Sequence, residues 1–264
     1  MSSEAAPLRR LHARRPGIVL AQALTVLALL LAWESAVRFG AVNALYLPAP
    51  TAVLESFGPL LTQGRLLHHT AVTLAEFAVG YAAAVVGGVG LGVLLVLVPS
   101  AERFAHPFIA ALMSVPKVAI VPLLALWLGI GFTHKVAIVF LFAVFQVVYS
   151  TVAGIKQTRR EHLKVARAFR ASTLQTVFKV ILPSAMPTIF AALRVSASVG
   201  LLGALFAEML SSKEGLGNLI TRSTAALDTA ETFALIALVT LLAVAMIAAL
   251  DLLERLVFLR WRSA

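Results

Sequence analysis

The sequence predicts an all-α integral membrane protein with six transmembrane helices. Composition gives the first reason. The chain has 264 residues, of which 60% are hydrophobic and 13% charged, where a soluble domain carries about 25% charged residues. Length gives the second. Several apolar runs exceed about 18 residues, enough for a helix to cross the hydrocarbon layer. Backbone chemistry gives the third. In lipid each N–H and C=O must be satisfied within its own segment, which a helix achieves. The alternation expected of a membrane barrel is absent.

The first span is expected at 17–39, after a tail (1–16) that carries Arg9, Arg10, Arg14 and Arg15. A signal peptide begins the same way. This run is long enough to span and no small-x-small site follows cleanly, so it is expected to be retained. Pro48 and Pro50 stop it, and a short amphipathic segment follows. The second span, 69–98, is the longest; at ~1.5 Å per residue it must tilt or project. It carries Ala84, Gly87, Gly88, Gly90 and Gly92. Gly88 and Gly92 form a G-x-x-x-G, a candidate helix interface either within one subunit or between two.

The third span, 107–129, contains Pro116, Lys117 and Pro122, and the prolines predict a kink. Lys117 lies deep enough to need a partner, water or a snorkelling path. It reads either as lining an anion pathway or as a snorkelling side chain. The fourth span is 133–155. The fifth, 184–211, holds Arg194, Ser196, Ser198, Gly200, Gly203 and Glu208. Arg194, Ser196, Ser198 and Glu208 join Lys117 as candidate pathway residues, with helix packing as the alternative. Between the fifth and sixth spans, Gly215-Leu216-Gly217 marks a turn. The sixth span, 233–258, precedes a tail at 259–264. With no repeat or interdomain linker, 17–258 is one membrane domain.

The net charge of +10 would suggest nucleic acid in a soluble protein. Here the basic residues sit at the ends of apolar spans, so they read as topology and membrane-surface charge, not as a nucleic-acid footprint. Fifteen fall on the side of the termini and five on the other, with Lys117 and Arg194 inside spans. The positive-inside rule then places both termini and the loop 156–183 in the cytoplasm. No catalytic residue stands out. There is no Cys, the six His lack metal-ligand spacing, and no G-x-x-x-x-G-K-[ST] is present. No metal or cofactor is therefore expected in this chain.

The most informative stretch is Glu161 to Pro187, a polar, basic, helix-compatible segment between long apolar runs. Within it, Lys164-Val165-Ala166, then Arg170-Ala171, and, with nine residues between it and Arg170, Val180-Ile181-Leu182-Pro183, resemble the loop motif of permease subunits of bacterial ATP-binding-cassette importers. That motif is E-A-A, three residues, G, nine residues, I-x-L-P. Leu47-Pro48-Ala49-Pro50-Thr51, Trp127-Leu128-Gly129-Ile130-Gly131 and Ala207-Glu208-Met209 with Gly215-Leu216-Gly217 are similar to its sulfonate/nitrate/taurine branch.

The resemblance implies a type I importer permease fold in the bacterial inner membrane. It also implies cytoplasmic ATPases that bind ATP and Mg, an extracytoplasmic substrate-binding protein and a second permease subunit. Lys164, Val165, Ala166, Arg170, Ala171, Leu182 and Pro183 would then couple the chain to the ATPase through a helix at 161–173. The implied cargo is a small organic or inorganic anion such as sulfonate, taurine or nitrate. Three charged positions depart from the motif. Lys164 replaces its Glu, Arg170 its Gly, and Glu76 an Arg usual before Gly80-Tyr81. Loss of that Gly implies a disturbed turn, and joint loss of Glu and Gly suggests a non-identical partner permease that keeps the motif. The alternatives are an ATPase-independent secondary transporter and a non-transporting membrane scaffold.

Overall fold

The computed structural model describes residues 16–62 and 64–262. The expected arginines of the leading tail (9, 10, 14, 15) and the end of the chain at 263–264 lie outside the described residues.

Five described helices are long and apolar enough to cross a membrane: α1 (Pro16–Arg38), α4 (Arg65–Leu97), α7 (Phe132–Lys156), α10 (Leu182–Ser211) with the short turns before it, and α12 (Thr229–Arg262). The sixth crossing is broken. α5 (Pro99–Ser114) and a second arm, a 3-10 turn Lys117–Ile120 leading into α6 (Val121–Leu128), meet at 83°. This corrects the single kinked helix expected at 107–129. Pro116 forces the residue before it out of the helical region, and Val115 accordingly sits at φ −64, ψ 132. Pro107, in contrast, lies inside α5, and Pro122 falls in the first turn of α6, where a missing N–H is harmless.

The fifth crossing is longer than expected. It runs from Thr173 to Ser211 and not from 184. Ser172 caps α9 (Thr173–Thr176) in a capping box with Gln175, and a π turn at Val177–Ile181 joins it to α10. The wider turn lets the chain pass Pro183, which lies at the start of α10, without breaking the rod.

α7 is the centre of the bundle, flanked by α4 and α10. α4 and α7 run parallel because the broken crossing returns the chain between them. Their seam is a stripe of small residues four apart: Gly80, Ala84, Gly88 and Gly92. A Cβ at Gly80 would lie 2.6 Å from the Val136 carbonyl oxygen. At Gly88 it would lie 2.7 Å from Val147 Cβ, and at Gly92 2.6 Å from Thr151 Cβ. The G-x-x-x-G is thus filled by α7 of the same chain. Gly203 of α10 meets Phe142 in the same way. α1 lies outside this core, with Leu20, Leu24, Leu27, Leu29 and Leu31 exposed, as a lipid-facing helix would present them.

Two short helices, α2 (Pro50–Glu55) and α3 (Phe57–Thr62), form the segment after the first span. Glu34 of α1 anchors it. Its carboxylate accepts from Thr51 N–H at 3.1 Å and Thr51 Oγ1 at 2.9 Å, and pairs with Arg38. A carboxylate on a helix N-terminus is favourable there.

Candidate functional site

Two regions of the bundle carry chemistry, one at each end. The first is at the basic end, where α8 (Arg160–Ala168) projects between α7 and the long fifth crossing. Its C-terminus closes in a Schellman turn. Arg170 N–H donates to the Arg167 carbonyl at 2.9 Å and Ala171 N–H to the Ala166 carbonyl at 3.0 Å. Arg170 sits at φ 52, the left-handed region that the Gly of the loop motif occupies without steric penalty. The turn expected to be disturbed by Arg is therefore formed, at an expense of about 1–2 kcal/mol for a side chain with a Cβ.

Ala166 is buried under this turn, while Lys164, Val165, Phe169 and Arg170 are exposed. Behind α8 lies a cleft lined by Val165, Ala166, Phe169, Ala171, Val180 and Pro183, with His162 and Lys179 at its edges. Four of the seven residues expected to couple to a partner, Val165, Ala166, Ala171 and Pro183, thus line one cleft, and Lys164 and Arg170 are exposed next to lining residues in sequence. The seventh, Leu182, is partly buried and packs on the core.

The second region lies at the opposite end, beneath α11 (Leu216–Ala225). Three successive backbone N–H groups are captured there. Gly215 donates to His69 Nδ1 at 2.9 Å, Leu216 to Thr73 Oγ1 at 2.9 Å, and Gly217 to Glu208 Oε2 at 2.7 Å. Thr73 Oγ1 in turn donates to Glu208 Oε1 at 2.7 Å. His69, Thr73 and Glu208 are buried, so these partners satisfy the first donors of α11 in place of water.

Both glycines of Gly215-Leu216-Gly217 are required. Gly215 has φ 100, and a Cβ there would lie 2.1 Å from Glu208 Cδ. A Cβ at Gly217 would lie 2.5 Å from the Leu205 carbonyl oxygen. Beside this latch, Glu76 is paired with Lys135, whose Nζ also donates to Ser212 Oγ at 3.1 Å. Glu76 and Glu208 both feel Lys135, and a single cation serves the two buried carboxyl groups. Glu76, Lys135, Phe132, Ser212, Lys213 and Glu214 line an open cleft at this end.

The five candidate pathway residues are not brought together. Glu208 belongs to the latch. Arg194 binds Asp251, at 3.0 Å, and Glu254, both on α12. A guanidinium holding two carboxylates has no spare positive charge for a passing anion. Ser196 is buried, donates to the Leu193 carbonyl at 3.2 Å and approaches Tyr81, whose hydroxyl donates to the same carbonyl at 2.6 Å. Ser198 is partly buried on the next turn. Lys117 sits in the break of the third crossing, where its Nζ donates to the Met113 carbonyl at 3.3 Å. It caps an end of α5 that the break exposes.

Sequence reasoning passed over His69, Thr73 and Lys135, and treated Glu76 only as a departure. One signal was available. Positions 69, 73 and 76 recur at helical spacing, polar on one face of an otherwise apolar span. Among the described residues no group of His, Asp or Glu has the arrangement of a metal site.

Comparisons with known proteins bear on the chain as a whole. A family profile described as "Binding-protein-dependent transport system inner membrane component" matches residues 84–263. The taurine transport system permease protein TauC of Escherichia coli (strain K12) is 30% identical over 236 residues, covering 88% of this chain and 86% of that protein. The riboflavin transport system permease protein RibX of Chloroflexus aurantiacus is 31% identical over 241 residues, covering 91% and 90%. Among solved structures, an inward-facing MetNI methionine ABC transporter chain superposes with a TM-score of 0.66 at 20% identity. The match covers 75% of this chain and 98% of that one.

Proposed function

The chain belongs to the family of binding-protein-dependent transport system inner membrane components, and on that premise we propose how it works as the permease subunit of an ABC importer. The basic end, with α8, faces the cytoplasm, and the latch faces outward. A cytoplasmic ATPase docks on α8 through the exposed Val165 and Phe169, with Lys164 and Arg170 at the rim. ATP and Mg belong to that ATPase. A substrate-binding protein delivers solute at the other end.

The observation that carries this reading is the build of the fifth crossing. A rigid turn at Arg170–Ala171 leads into a rod that runs from Thr173 to Ser211 and ends three residues past Glu208. At ~1.5 Å per residue the rod is ~58 Å long. A push on α8 therefore reaches the latch along one helical rod, whose regular hydrogen bonding is interrupted at the π turn and at Pro187. ATP binding drives the cycle only to the extent that the ATPase prefers one position of α8 over the other.

The cargo on this reading is a small anion such as taurine, another sulfonate or nitrate. TauC supports it by its name. RibX, named for riboflavin at similar identity, supports leaving recognition largely to the binding protein. Of the two candidate cations, only Lys117 keeps charge for a passing anion. A second copy of this chain completes the pathway. The motive for a non-identical partner was the joint loss of the motif's Glu and Gly at Lys164 and Arg170; the turn that the Gly would serve is formed, which supports two copies of this chain.

The test is ATP-driven uptake in right-side-out or reconstituted vesicles with the full complex and ATP in the lumen. Deleting 160–170 is expected to abolish uptake while the chain still inserts. Uptake that persists without any ATPase refutes the reading in favour of a secondary transporter, and a complex with no uptake of any solute refutes it in favour of a scaffold. Native mass analysis decides the pairing: two copies are expected, and a second permease species overturns that part.

A further inference from the structure

We infer that the ATPase partnering this chain presents an acidic docking surface, so that the contact at α8 is held by charge as well as by apolar fit. The inference rests on the reading of α8 as the ATPase contact and specifies that partner's chemistry. Between residues 159 and 179 the chain exposes Arg159, Arg160, Lys164, Arg167, Arg170 and Lys179. Glu161 is the one acidic residue in that interval. Among the described residues none of these six cations forms an ion pair, although Lys156, just before them, is neutralised by Glu102. Arg103 and Arg255 at the same end are likewise without an ion pair among the described residues, but the densest run of unpaired charge lies on the projecting element and the chain just after it.

The two motif departures add to it. Lys164 stands where the motif has Glu, and Arg170 where it has Gly, so both raise the positive charge of the same surface. Arg170 does so while adopting a left-handed backbone that disfavours it. Fold alone gives no reason for that choice. Of these cations Lys179 lines an apolar cleft, and Lys164 and Arg170 adjoin in sequence two of its wall residues, Val165 and Phe169, which are 55% and 82% exposed. A convex protein surface bearing carboxylates fills such a cleft. A flat layer of lipid headgroups meets the cations and leaves the cleft empty. Clustered charge of one sign at a docking site selects partners by repelling those of like sign, and it speeds association in a salt-dependent way.

The experiment uses the full chain in nanodiscs of phosphatidylcholine. The ATPase that co-purifies with it is identified by mass spectrometry, produced alone and titrated back. Affinity is expected to fall about tenfold as salt rises from about 0.05 to about 0.5 M, since the charges lie at the surface and are screened. Lys164→Glu with Arg170→Asn, an exchange that tolerates positive φ, is expected to weaken binding about tenfold. Lysine placed at the facing ATPase carboxylates restores it.

Affinity indifferent to salt, or unchanged or improved by Lys164→Glu, overturns the inference. So does an effect of Lys164→Glu that appears only when phosphatidylglycerol is present, which assigns the basic face to lipid. Failure of the underlying reading looks different: no ATPase co-purifies, and uptake proceeds without ATP.

Discussion

Arg170 is a residue placed against its own backbone preference. Its φ of 52 closes the turn after α8, and glycine there removes the strain. Arg170→Gly is expected to raise hydrogen-exchange protection of the α8 amides about tenfold, equivalent to ~1.4 kcal/mol. Unchanged protection would mean that the Arg side chain is stabilised by something other than the turn. Lys135 poses the opposite case, a charge whose removal leaves its partner stranded. Lys135→Met leaves Glu76 buried without a cation and is expected to destabilise the permease by about 3–5 kcal/mol, read from thermal unfolding in detergent. Adding Glu76→Gln should recover most of that loss, and a double variant as unstable as the single one would show that Lys135 acts through Ser212 instead. Gly215→Ala belongs at this scale too. The new methyl would overlap the Glu208 carboxylate, so release of α11 is expected, seen as exchange of the Gly215–Gly217 amides.

At the level of helices, the crossings were legible in the sequence because apolar run length is a local property. The expected 69–98 and 133–155 correspond to Arg65–Leu97 and Phe132–Lys156. Where prolines intervened, the reading was partial. Pro116 signalled a bend in the third crossing, but how far the second arm swings depends on what α7 and α10 offer it. Pro183 looked like a start and is instead carried inside a longer rod by a π turn. The place of the α8 turn was legible because the motif's spacing lies within twenty residues, but its geometry was not, since Arg170 was expected to disturb a turn that it forms. The latch was not, since Thr73 and Glu208 stand 135 residues apart and His69 and Gly215 146 apart. Nothing in a single sequence announces such pairs. The α4–α7 seam makes a prediction of its own. Gly88→Val adds three side-chain carbons, of which the Cβ alone would lie 2.7 Å from Val147 Cβ, and is expected to cost about 1–3 kcal/mol and to lower the yield of folded permease. Gly90→Val, where nothing lies within 4 Å, is the control that should fold normally.

Across the whole molecule, the two functional ends are joined by one continuous helix, clamped midway where Arg194 holds Asp251 and Glu254 of α12. Two glycines inserted after Lys179 would soften that rod within the π turn, each weakening the helix by about 1 kcal/mol. ATP hydrolysis by the assembled complex is expected to continue while uptake falls at least about tenfold, a separation of work from fuel. Loss of both together would mean that the insertion had disrupted docking and not transmission. The parallel seam between α4 and α7 has a further consequence, in the order of synthesis. α4 is complete at Leu97, but the surface that fills its glycine groove is not finished until Lys156, about sixty residues later. At about 5–20 residues per second the ribosome needs roughly 3–12 s to supply it. For that interval a helix with a notched, small-residue face must wait in the bilayer unclaimed. The nascent chain is then most open to mispairing with other membrane helices, and most in need of an insertase that holds α4 until its neighbour arrives.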